Sequence, residues 1–253
     1  MKVRQIGVYG LARDAAGRAL ATAAGALPGG LVGHGENPGD AVRRTLLAAI
    51  GGPVRVDGVR AVSAELSADG LTHTDRILYD VSPIGDFAGT YPGIPPFPVE
   101  TPVERLEGRV QRFGAYARAY APDGRVLLTR ISRGYPGAGL WHLPGGGTDH
   151  GETPEEALAR ELIEETSQQG RIVGLFGVSH RYDPGALGPE GVPMDWHVVR
   201  VLFDVLVEHP GQALVTEAAG GSTEVAGWFG RTELSDLPLT EVAREAVESP
   251  PLP

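Results

Sequence analysis

Apolar residues in this chain gather into short blocks separated by Gly, Pro and polar runs, and those blocks predict its elements. In the second half, 110–121 reads as a strand, Pro122-Asp123-Gly124 as a turn and 125–130 as the partner strand of a hairpin. Further strands are expected near 172–179, 196–207 and 224–229, the middle one rich in β-branched and aromatic residues. Helical signals are of a different kind. Thr153 is a cap, Pro154 suits the first helical position and Glu156 completes a capping box, so a helix starts at Thr153 or Pro154. In the first half Asn37, Pro38 and Asp40 make a similar start, and Val42, Leu46 and Leu47 give that helix an apolar face. A last helix is expected over 240–248 with Thr240 as its cap. Two loops stand out, 132–139 and the long Gly/Pro-containing 181–195, a length that usually carries function.

The chain has 253 residues, enough for one or two domains with a substantial core. Around Pro95, Pro96 and Pro98 the composition turns so rich in Pro and Gly that no helix can hold, and 83–107 reads as a stiff linker. The absence of Cys excludes disulfides, thiolate metal sites and a cysteine nucleophile. No stretch resembles a signal-peptide core or a membrane span, so a soluble, cytoplasmic protein without a membrane partner is expected. A net charge of −10 argues against a nucleic-acid polymer as partner, and the excess acid falls within 101–253. Because Lys2 is the single lysine, positive charge for a phosphate must come from arginine or a metal ion.

An internal repeat organises the whole. Leu27-Pro28-Gly29-Gly30 recurs as Leu143-Pro144-Gly145-Gly146, and His34-Gly35-Glu36-Asn37-Pro38 as His150-Gly151-Glu152-Thr153-Pro154, with Arg44 matching Arg160. Upstream, Gly17-Arg18 and Thr22 match Gly124-Arg125 and Thr129. Downstream, the run from Arg76 to Val81 matches the run from Arg200 to Val205. Three blocks in one order imply a duplication, with residues 1–90 and 108–253 as its copies.

Only the second copy concentrates acid. Glu161, Glu164 and Glu165 fall within little more than one helical turn, where each like-charged pair costs roughly 0.2–0.5 kcal/mol and opposes the helix dipole. A divalent cation would remove that cost, since hard ions such as Mg²⁺ take carboxylate oxygens shared with a substrate phosphate. Arg160 can pair with Glu164 four residues on. The fragment RELIEE taken alone fits a solvated helix face equally well. In the first copy Thr45, Ala48 and Ala49 replace the three acids, while Gly30, Glu36 and Arg44 remain.

The full pattern resembles the Nudix hydrolase signature, GX5EX7REUXEEXGU, at Gly146, Glu152, Arg160, Glu161, Leu162, Glu164 and Glu165. Ser167 and Gln168 depart from it, and Gly170 is expected to end the helix in place of the missing glycine. The resemblance implies an α/β (α+β) fold, here two α/β/α sandwich domains with mixed β-sheets, the first lacking its catalytic glutamates. It implies hydrolysis of a pyrophosphate bond in a nucleoside diphosphate linked to another moiety, with Mg²⁺ or Mn²⁺. The implied metal ligands are Glu161, Glu164, Glu165 and the Gly145 carbonyl, with Arg160 and Glu152 bracing the loop formed by Gly145, Gly146 and Gly147. Glu224 is the candidate general base and Glu217 its runner-up. His150 has a structural counterpart in His34, so a loop role is expected for both. Trp141 is expected to pack, whereas Tyr135, Tyr182 and Trp196 lie where a base could stack. ADP-ribose, dinucleoside polyphosphates, nucleotide sugars and oxidised nucleoside triphosphates all fit as substrates. A nucleotide sensor without turnover is the alternative. The duplication further suggests an intramolecular pseudo-dimer of the two copies, with a homodimer as a further level of assembly.

Overall fold

The computed structural model describes residues 2–13, 19–21, 26–84, 109–187, 191–216 and 221–249. The expected linker, 83–107, and Glu217 fall almost wholly or wholly outside them. The chain divides into two compact units, Met1–Glu107 and Gly108–Pro253. Each is a mixed α+β structure. No helix among the described residues is long and apolar enough to cross a membrane.

The first unit contains β1 (Val3–Leu11), β2 (Gly29–Leu31), α1 (Pro38–Ile50), β3 (Val54–Leu66) and β4 (Thr72–Pro83). Its sheet has the order β2-β1-β4-β3, with β1 parallel to β4 and the other neighbours antiparallel. Burial alternates along β4, the period-two signature of a strand with one face on a core. Asn37 caps α1 through Gly39 N, and Ala41, Val42 and Leu46 are fully buried beneath it. Leu47, expected on the apolar face, is instead exposed. A helix turns about 100° per residue, which carries position 47 off the stripe that holds 42 and 46.

The second unit contains β5 (Arg109–Tyr120), β6 (Val126–Ile131), β7 (Trp141–His142), β8 (Gly145–Gly147), α2 (Pro154–Thr166), β9 (Arg171–Leu187), β10 (Pro193–Leu206), β11 (Thr223–Phe229), α3 (Arg231–Leu234) and α4 (Glu241–Glu248). Its seven-stranded sheet runs β11-β6-β5-β10-β9, with β7 on β6 and β8 on β5. One core cluster joins Val126, Leu128 and Leu202 of the strands, and Leu143 between β7 and β8, to Leu234, Leu239, Ala243 and Ala246 near the C-terminus. Thr240 caps α4 as expected, but α3 has too little apolar periodicity to be read from sequence. At the far end of α4, the buried Arg118 guanidinium donates to the Ala246 and Ser249 carbonyls and pairs with buried Asp204 at 2.5 Å. Phe176 covers it at 3.9 Å.

The loop expected over 181–195 is a correction. Apart from 188–190, which lie outside the described residues, it belongs almost entirely to the long β9–β10 hairpin, with Arg181 opposite Val198 and Leu187 opposite Pro193. Cross-strand pairing overrides the local turn signals. Pro184 and Gly185 sit at a register irregularity, where a missing ladder donor does no harm.

The two units share a frame down to individual pairs. Val8 faces Gly30 and Ile77 in the first, and Ala115 faces Gly146 and Val201 in the second. Leaving β3, Asp57 and Arg60 bulge out of the ladder opposite the Leu78 to Val81 segment, and Val173 and Phe176 bulge out of β9 opposite the matching Leu202 to Val205 segment. Bulges are placed by specific backbone demands, so two coincident bulges are not a generic result of sheet formation.

Candidate active site

The site begins with glycines that allow close approach. In β8, Gly145 has φ +135°, a conformation that side chains rarely adopt, and its own N–H donates to Glu165 Oε2 at 2.8 Å. A Cβ at Gly146 would lie 2.5 Å from Glu161 Oε1, so only glycine lets that carboxylate lie flat on the strand. Gly147 offers its carbonyl to Arg160 at 3.0 Å.

Helix α2 starts where the sequence says. Thr153 accepts from Glu156 N, and Glu156 accepts from Thr153 N, a complete capping box. The end is different from expectation. The helix stops at Thr166, and Ser167 itself takes the left-handed conformation at φ 56°, so Gly170 does not serve as the cap. Ser167 stays there because Leu162 and Ile163 carbonyls accept from the residues that follow and because Ser167 Oγ donates to Leu214 O at 2.9 Å.

Arg160 is the hub of the acids. Its Nε and Nη2 grip Glu152 as a fork at 2.9 and 3.0 Å, and its Nη1 reaches Glu161 at 2.8 Å and Glu164 at 3.2 Å. Glu152 in turn accepts from Asp149 N, which fixes the loop between β8 and α2. Hydrogen bonding to Glu152 first, then to Glu161, pushes the guanidinium pKa further above its ordinary value, so this cation is permanent. Glu165 is 2% exposed and accepts from Thr223 Oγ1 as well as Gly145 N, with Ser222 Oγ at 3.4 Å. Glu164 is 43% exposed.

These oxygens suit a hard cation. Among the described residues, however, no three His, Asp or Glu side chains converge closely enough to hold a metal ion by themselves. Glu161 and Glu164 converge on one guanidinium, while Glu165 is tethered to the strands. That donor set fits a cation held by one or two carboxylates and completed by water and substrate phosphate, the usual Mg²⁺ arrangement.

Glu224 stands apart from the three acids. It occupies a bulge of β11, is 51% exposed and faces Arg130 at 3.3 Å, while its neighbour Thr223 turns to Glu165. Trp141 packs edge-on against Phe229 with ring centroids 4.6 Å apart. Several contributors carry no motif. Thr223 and Ser222 hold Glu165. Buried Gln168 donates to the Gln212 carbonyl and accepts from Gly211 N, binding the segment after β10 to the end of α2. Along that segment Leu214 and Thr216 N–H groups satisfy the Thr166 and Glu164 carbonyls. Half-buried Tyr116 meets His142 edge-on with ring centroids 5.1 Å apart, its phenol pKa raised by desolvation, opposed by Arg200 and reinforced by Glu165 and Glu161. The one available sequence signal was that Gln168 replaces an aliphatic residue at a signature position.

Residues 110–249 match the NUDIX domain family. An ADP-ribose pyrophosphatase of Methanocaldococcus jannaschii is 36% identical over 125 residues, which are 49% of this chain and 64% of that protein. A putative 8-oxo-dGTP diphosphatase 3 of Mycobacterium tuberculosis is 32% identical over 137 residues, 52% of this chain and 57% of that protein. The chain thus spans less than two thirds of the length of these two relatives. In the crystal structure of a MutT NUDIX hydrolase from Burkholderia pseudomallei, 34% identical, 97% of that chain and 55% of this one are matched with a TM-score of 0.42.

Proposed function

The chain belongs to the NUDIX domain family, and from that premise we propose that its second unit hydrolyses a pyrophosphate bond in a nucleoside diphosphate linked to another moiety. The observation that carries this reading is the Arg160 hub, which holds Glu161 and Glu164 beside the glycine strand on which Glu165 is anchored. A bound Mg²⁺ or Mn²⁺ supplies neutralisation of phosphate charge and a lower pKa for bound water. Glu161 and Glu165 hold the cation, with Glu164 and the Gly145 carbonyl completing the protein's contribution. Arg160 and Glu152 keep the loop and helix in register. Glu224 takes the proton from the attacking water in this reading, and its exposed place on a bulge leaves it free to swing away from Arg130.

Relatives named for ADP-ribose and for 8-oxo-dGTP put both substrates in the first panel to be tried. Product release is measured over that panel with Mg²⁺ and with Mn²⁺, for the wild type, Glu165→Gln and Glu224→Gln. Glu165→Gln is expected to lose about 10²-fold or more in kcat, the scale of losing one group that stabilises transition-state charge. Nucleotide binding without turnover in the wild type would instead identify a sensor.

The first unit is, on the same reading, a degenerate copy. It keeps the bracket of Glu36 with Arg44 at 2.8 Å and the Arg44 bond to the Leu31 carbonyl, which correspond to Glu152, Arg160 and Gly147. Its Thr45 occupies the place of Glu161 against Gly30. Pairing of the two copies as a pseudo-dimer, and a cytoplasmic location, belong to the same proposal.

A further inference from the structure

The duplicated frame contains a charge reversal that the three acids do not explain. In the first unit the Arg76 guanidinium lies over the Tyr9 ring at 5.5 Å and is closed off by an ion pair with Glu65 on the adjacent strand. The same stack recurs in the second unit, where Arg200 lies over Tyr116 at 5.8 Å. Ladder positions fix the correspondence. Arg76 faces Ser63 and Arg200 faces Ser179, while Glu65 faces Thr74 and Arg181 faces Val198. A cation therefore stands in the second unit where the first places the neutralising carboxylate. Trp196 is approached by both arginines, with Arg200 at 6.0 Å and Arg181 at 5.9 Å from its ring centroid.

Two arginines beside one indole, in a unit that is otherwise acidic, make a place suited to an anion. Arg181 has Asp183 at 3.2 Å, an exposed pair that water screens. Arg200 is in a different position. Its guanidinium is hydrogen-bonded with the Tyr116 hydroxyl, and its Nε is buried without a partner among the described residues, as Arg76 Nε is in the first unit; what Arg200 lacks is the carboxylate that Glu65 supplies to Arg76. The location is next to the acids, since Tyr116, on which Arg200 stacks, faces Gly145, whose N–H donates to Glu165.

We propose that Arg200 binds the phosphate of the substrate that is not held by the carboxylate-bound cation, with Arg181 as the second cation and Trp196 as the flat wall beside them. The ligand class is a nucleoside diphosphate or its derivative. This proposal rests on the pyrophosphohydrolase reading for its catalytic role, but not for binding. Glu65 in the first unit abolishes the equivalent position there, which explains why the Arg and Tyr stack alone does not make that unit a second site.

The test separates the two claims by measuring metal-free binding of ADP through tryptophan fluorescence, and KM and kcat for the substrate found in the panel with Mg²⁺. Arg200→Met keeps the side-chain volume, and Arg181→Glu recreates the closed arrangement of the first unit. Both are expected to weaken ADP binding and raise KM by about 10-fold or more, with kcat changed less, while Arg200→Lys recovers part of the loss. Circular dichroism checks that each variant remains folded. Binding and KM within twofold of the wild type in both folded variants overturns the proposal, as does a wild type that does not bind ADP. If ADP binds, the variants lose it, and no substrate is turned over, the binding site stands and the hydrolase reading falls.

Discussion

Ser167 shows how much one backbone angle decides. It is the only non-glycine residue with positive φ among the described residues, and the first unit has Gly51, with φ 72°, at the same helix end. An L-residue in that region costs roughly 1–2 kcal/mol, partly offset here by the exposed bond to Leu214 O. Ser167→Gly is therefore expected to stabilise the protein by about 0.5–1 kcal/mol, seen as a higher urea midpoint at unchanged slope. The sequence exposed the missing glycine at once, because the signature assigns a conformation to that position. It could not show that the irregular segment after β10 would return to set Leu214 O against Ser167, with Gly211 and Gln212 held by Gln168. Thr223 was equally invisible, since a threonine on a strand carries no mark of the carboxylate it will meet.

At the level of elements, β7 and α4 are tied by His142, whose Nδ1 is hydrogen-bonded with Thr240 Oγ1, the cap of α4, at 2.7 Å. Burial first, and Arg200 second, lower the His142 pKa from 6.5 to about 3. The folded imidazole is thus neutral, and the unfolded chain takes up the proton more readily. Stability from this group is complete above about pH 6.5 and is lost as the pH falls toward 3, by at most about 1.4 kcal/mol per unit. Urea titrations at pH 7, 5 and 4 of wild type and His142→Gln should show a steeper loss in the wild type, because carboxylate contributions are common to both. Equal slopes would mean that the imidazole is not buried in this way. Caps, turns and the acidic helix could be read from the chain because they depend on neighbours in sequence. Only the far half of the β9–β10 hairpin was missed, because there its strands are specified by each other across the ladder, against their own Gly and Pro content.

For the whole molecule the informative feature is the set of matching ladder pairs and bulges in the two units, which accords with the duplication proposed from the blocks at Arg76 and Arg200. If the first unit stands in for a partner subunit, a fragment of residues 108–253 should turn over more slowly than the full chain, or self-associate, when tested by kinetics and sedimentation. A fully active monomeric fragment would exclude that role. The shared frame also gives a folding chain two templates of the same cut, and inter-domain misassembly is a known hazard of repeats. Arg118 marks one position at which they differ. It faces Asp204 across the ladder, whereas Leu11 faces Asp80, which Arg60 serves from the opposite strand. Were β1 to settle beside β10, Asp204 would be entombed with no guanidinium, at about 3–5 kcal/mol. A strand taken from the wrong half is thereby expected to be disfavoured by a single mismatched charge, long before any substrate arrives to judge the result.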